Sequence, residues 1–136
     1  MTLEPAITYT IRPDGDLLRA HIWGRESDDP PSQICRVILG ECRRHGLKRI
    51  LIELNQKRPL SGVSQYLLVE KLPALGLTHE HRIALVHHTP GLHEANQMID
   101  LVARNRSINV RNFRDVRSAI EWLHSPAPWP PEEIPE

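Results

Sequence analysis

The stretch Ala103–Leu123, ARNRSINVRNFRDVRSAIEWL, decides the fold class. Read in order, it closes one helix, runs a short strand over Asn109–Phe113, and opens an amphipathic helix at Asp115. In that last helix Val116, Ala119, Ile120 and Leu123 recur at three- and four-residue steps, which makes one apolar stripe. A strand delivered between two helices predicts a layered α/β domain.

Upstream, the same alternation of strand and helix repeats. Ile83–Val86 is a continuous apolar run, as expected of a buried strand. It leads to Thr89-Pro90, where a hydroxyl can cap and a proline suits a first turn; a third helix is predicted from there with stripe residues Leu92, Ala95, Ile99 and Val102. Ile50–Leu54 is a second buried strand. It is followed by a polar loop from Asn55 to Pro59 and a helix opening near Leu60 or Ser61, with Val63, Leu67, Leu68 and Leu72 expected to face inward. Pro73 ends or kinks that helix, and Gly76 lies just beyond. The first helix is predicted from Asp29-Pro30, with stripe residues Ile34, Val37, Ile38 and Cys42 and a stop at Gly46.

The N-terminal part reads as a β-hairpin. Ile7, Tyr9 and Ile11 alternate with polar residues, and Pro13-Asp14-Gly15-Asp16 is turn chemistry. Leu18, Ala20 and Ile22 then alternate with Leu17, Arg19, His21 and Trp23, which predicts a strand with one buried face. The element order is therefore ββαβαβαβα. It predicts a mostly parallel sheet flanked by helices, with an antiparallel first strand. Residues 1–125 are expected to form this one domain. Pro126, Pro128, Pro130, Pro131 and Pro135 mark 126–136 as a proline-rich tail that is expected to be disordered.

Composition narrows the function class. Seventeen Lys and Arg balance seventeen Asp and Glu. General nucleic-acid binding needs a cationic surplus to displace phosphate counterions, so none is expected. No apolar stretch approaches the ~20 residues of a membrane span, and no stable membrane anchoring is expected. The start of the chain lacks the basic-then-apolar pattern of a signal peptide. Cys35 and Cys42 lie seven apart on one predicted helix, ~10 Å between Cα atoms, too far for a disulfide. The expected location is cytoplasmic.

No catalytic constellation is visible. Leu60-Ser61-Gly62-Val63-Ser64 is not a nucleophile elbow, and the strand ending at Leu54 is followed by no glycine-rich phosphate loop. The histidines do not fall at metal-ligand spacing: His87 and His88 are adjacent on a strand and point to opposite faces, His79 and His81 sit in a loop, and His93 neighbours Glu94 on a helix. No metal, no cofactor and no enzymatic activity are expected.

The order and the residues quoted, above all ARNRSINVRNF with the closing DVRSAIEWL, resemble the STAS fold of sulfate transporters and anti-sigma-factor antagonists. They look closest to its SpoIIAA-like branch of small STAS/SEC14-type proteins. The resemblance spans about Ile7 to Leu123. It implies a non-enzymatic regulatory module that binds a protein partner; the SEC14 side of it implies, as the alternative, a carrier of a small apolar or lipid-like ligand. In the antagonists a serine before a glycine at the start of the second helix is phosphorylated, and Ser61-Gly62 occupies that place. The usual Asp-Ser-Ser-Gly run is replaced here by Pro59-Leu60-Ser61-Gly62, and the plain alternative is that Ser61 only caps its helix.

The candidate partner surface is therefore Asn55, Lys57, Arg58, Ser61, Gly62 and Ser64, at the carboxyl end of the sheet beside a helix N-terminus. Arg104 and Arg106 are the candidate anion contacts; otherwise they complement the C-terminal end of a helix dipole.

Overall fold

The computed structural model describes residues 8–24, 30–56 and 60–127. Its elements are β1 (Thr8–Asp14), β2 (Leu17–Gly24), α1 (Pro30–His45), β3 (Arg49–Gln56), α2 (Gly62–Lys71), β4 (Arg82–His87), α3 (Leu92–Ala95), α4 (Gln97–Asn105), β5 (Val110–Phe113) and α5 (Val116–Leu123). A 3-10 turn at Pro73–Leu75 follows α2 and closes on Gly76 at φ 113°. The five strands form one sheet in the order β1-β2-β3-β4-β5. β1 is antiparallel to β2, and the remaining pairs are parallel. The predicted α/β class, strand directions and element order agree with this arrangement.

A sequential strand order with crossovers of one hand sends every connecting helix to the same side of the sheet. The packing reflects that. Leu18, Ala20, Ile22, Ile50, Ile52, Ile83, Leu85 and Val110 line one face and pack with Ile34, Ile38 and Cys42 of α1, Val69 of α2, and Ile99 and Val102 of α4. The opposite face buries a smaller set, Leu17, Leu51, Ala84 and Val86, under Ala119, Trp122 and Leu123 of α5. Beyond α5, that second face carries Arg19, His21, Trp23, Glu53 and Asn55, fixed there by the two-residue alternation of β2 and β3.

Local signals explain most boundaries. α1 ends where Gly46 takes φ 66° and the Leu47 N–H donates to the Cys42 carbonyl at 2.9 Å, which satisfies a terminal carbonyl. α5 starts where the Asp115 carboxylate accepts the Ser118 N–H at 2.7 Å.

Several details differ from the sequence reading, among them Ala95, expected on an inward stripe and exposed in the structure. The third helix is two pieces, α3 and α4, parted at Asn96. That residue is buried, its side-chain amide donates to the Leu92 carbonyl at 2.9 Å, and its backbone carbonyl accepts from Asn112 at 2.9 Å, so tertiary hydrogen bonds replace helix continuity. Thr89 does not cap it: its hydroxyl donates to the Gln56 carbonyl, and Gly91 at φ 85° precedes Leu92.

In α2, Val63 and Leu67 face solvent, not the core. The inward positions are Gln65, Val69 and Leu72. Val63 and Leu67 each stand two residues from Gln65, about 200° around a helix. Gln65 turns inward because its amide donates to the carbonyls of Leu60 at 2.8 Å and Ala95 at 3.0 Å. In α1, Val37 is exposed and Leu39 takes the buried place.

Candidate functional site

The carboxyl ends of β3 and β4 meet the N-terminus of α2 and the α3–α4 break. Ser61 is the N-cap of α2, with an extended backbone; its Oγ accepts the Ser64 N–H at 3.1 Å and donates to the Ser64 Oγ at 3.0 Å. Both side chains reach solvent. A Cβ added to Gly62 meets nothing within 4 Å, so this position does not require glycine. Lys57 and Arg58 lie outside the described residues.

Asn55 does not join this group. Its side chain is on the opposite face of the sheet, hydrogen-bonded to His21. There it belongs to a polar cluster that sequence reading missed. Glu53 accepts from Arg19 at 3.2 Å and pairs with His88 Nε2 at 3.1 Å. The His21 ring meets the Trp23 ring edge-on at 4.7 Å and stands 6.0 Å from the His88 ring. Burial raises the Glu53 carboxyl, but its His88 and Arg19 hydrogen bonds outweigh that and hold it below the usual carboxylate range. The signal was present in the alternation that puts Arg19, His21 and Trp23 on one side of β2. Pairing with β3 and β4 adds the rest, and pairing is a tertiary fact.

No group of three or more His, Cys, Asp or Glu among the described residues is arranged to hold a metal ion. No family model matches the chain, and no curated protein matches it.

Under α1 and α2, on the first face of the sheet, lies a cavity of about 70 Å³. Its walls are aliphatic, with Ile22, Ile38, Ile52, Leu85 and Ile99 prominent, and Gln56 and Leu60 also border it. His87 and Asn96 add polar groups. They belong to a buried network. Asn112 donates its side-chain amide to the Asn96 carbonyl at 2.9 Å and to Asp100 at 3.0 Å, and its side-chain oxygen meets His87 Nε2 at 2.5 Å. The Asn96 side-chain oxygen accepts the Leu60 N–H at 3.3 Å, which ties this network to the residue before Ser61. Burial pushes His87 below the usual imidazole range and Asp100 above the usual carboxylate range.

On the outside, the neighbouring helices α2 and α4 leave a group of large apolar side chains exposed: Val63 at 69 %, Leu101 at 55 %, Leu67 at 45 %, and Tyr66 and Met98 at 42 %. Arg106, beside this group, is engaged by Glu70 and by the Tyr66 hydroxyl at 2.9 Å, with its guanidinium 5.5 Å from the Tyr66 ring centre. Arg104, its companion in the sequence reading, lies in the last turn of α4. No helix of the described residues is long and apolar enough to cross a membrane.

Proposed function

We propose that this chain is a non-enzymatic, STAS-like regulatory module that binds a protein partner through the outer face of α2 and α4. One observation carries the reading: Val63, Tyr66, Leu67, Met98 and Leu101 are exposed on two adjacent helices. A monomer gains nothing from exposing such a group, and clustered apolar surface is what partner sites are made of. The sequential sheet, the N-terminal hairpin and the serine-glycine pair opening α2 support the STAS part of the reading. Ser61 opens the same helix, so a phosphate there would add about two negative charges two residues from Val63.

The test is affinity capture from the native cell with wild-type protein and with a Leu67→Glu/Leu101→Glu variant. Both positions are exposed, so the variant keeps its fold, checked by circular dichroism. The reading expects a partner recovered by the wild type and lost by the variant. A partner retained by the variant rules this face out.

A second reading, binding of a small apolar ligand, has its own observation in the cavity of about 70 Å³. Sites for drug-sized ligands are ~300–1,000 Å³, so a lipid-like cargo does not fit this space and a much smaller molecule does.

A further inference from the structure

We infer that the cavity beneath α1 and α2 is a binding site for a short aliphatic alcohol, whose hydroxyl donates to Nδ1 of His87. This rests on the ligand-binding reading above and gives it a chemical class; it is independent of the partner face.

Size sets the first limit. An engineered cavity of ~150 Å³ takes a benzene ring, and this one has about half that volume. The walls set the second. Ile22, Ile38, Ile52, Leu85 and Ile99 offer no hydrogen bonds, so most of the ligand is hydrocarbon. A charged group would be buried without a counter-ion, which excludes short carboxylates and ammonium ions.

The polar end follows from hydrogen-bond accounting. Both amide hydrogens of Asn112 are committed, one to the Asn96 carbonyl and one to Asp100. The Asn112 side-chain oxygen therefore faces His87 as an acceptor, and Nε2 of His87 must carry the hydrogen. A neutral imidazole with its hydrogen on Nε2 has a lone pair on Nδ1. Burial keeps this ring neutral. No described residue hydrogen-bonds to that nitrogen. Asn96 offers no competing side-chain site, since its amide goes to the Leu92 carbonyl and its oxygen accepts the Leu60 N–H. Gln56, which also borders the cavity, carries an amide that can give or take a hydrogen bond, so a hydroxyl, which does both, suits the wall, and its donation to Nδ1 is what an ether cannot copy.

The experiment compares two isomers small enough for this space on the wild-type protein: ethanol, which can donate a hydrogen bond, and dimethyl ether, which cannot. Binding is followed by NMR titration, with the 15N resonance of His87 Nδ1 as the site-specific readout. The expected result is about fivefold tighter binding of ethanol, the worth of one net hydrogen bond, with a shift of the Nδ1 resonance. Leu68→Phe, which fills the cavity from a half-buried position, should abolish both. Equal affinity for the isomers, or an unmoved Nδ1 signal, overturns the alcohol assignment while leaving a small-ligand site in place. Binding of neither isomer removes the ligand reading itself.

Discussion

Ser61 Oγ accepts the backbone N–H of Ser64 at 3.1 Å, so the oxygen that a kinase would modify is also the cap of α2. Serine-to-alanine changes at such positions cost ~1 kcal/mol. Ser61→Ala should lose about that much in urea unfolding. Ser61→Asp should lose less than half of it, because a carboxylate caps as well as a hydroxyl. No loss for Ser61→Ala would mean that the cap contributes nothing, and equal losses would mean that the carboxylate does not replace the hydroxyl. The aspartate variant is therefore a clean test of partner regulation, since its fold is preserved.

Acid should weaken the fold from the ordinary histidine range downward. His81 and His87 are buried and both are held below 6.5, chiefly by burial. His81 Nδ1 also accepts the Thr78 N–H at 3.0 Å, a role that a protonated ring cannot fill. With folded pKa values below the unfolded ones, the unfolded chain takes up protons first. Stability from these groups is complete above about pH 6.5 and is lost as pH falls below it. Asp100 acts with the opposite sign in a separate, more acidic window, because burial raises its carboxyl above 3.8. Urea midpoints at pH 7.5, 6.5 and 5.5 check the histidine part; a flat series contradicts it.

Leu123→Ala should cost ~2–5 kcal/mol, the range for truncating a core leucine. Leu123 is 1 % exposed and sits with Trp122 in the smaller core. Arg117→Ala, on the outer side of the same helix, serves as the control and should change stability by less than about 0.5 kcal/mol. If the two variants unfold at the same denaturant concentration, α5 does not seal that face.

Both cysteines should be inert in the folded state. Burial pushes the Cys35 and Cys42 thiols up to about 12, so the reactive thiolate is scarce at neutral pH. Neither forms a disulfide. Iodoacetamide at pH 7.5 should label the native protein slowly and the denatured protein at two sites. Fast native labelling would place a thiol at the surface.

Periodic and turn signals were local enough to read directly. Ala119 and Leu123 fall on the predicted stripe of α5, and Gly46 stops α1. The misreadings share one cause. In α2 the apolar residues Val63 and Leu67 looked like core, yet Gln65 is buried because two carbonyls from Leu60 and Ala95 receive its amide. In the third helix nothing in the sequence marks Asn96 as a break; besides the nearby Leu92 carbonyl, it bonds Leu60 and Asn112 from distant segments. The candidate surface divided for the same reason. Asn55 and Ser61 are six residues apart in sequence, but strand alternation sends Asn55 to the far face with His21. The cavity and the Glu53–His88–Arg19 cluster need strands brought side by side, and no single segment carries that information.

The sequential sheet has a consequence for how the chain matures on the ribosome. Each strand pairs with the one made just before it, so the sheet can lengthen as synthesis proceeds, without waiting for distant partners. The exception is the second face. Leu17, Leu51, Ala84 and Val86 come from three strands, but their cover is α5, which is made after all of them. Until it docks, the nascent domain shows water an apolar floor. A chain cut before Val116 would keep that floor permanently open and should depend on chaperones where a chain that includes α5 does not.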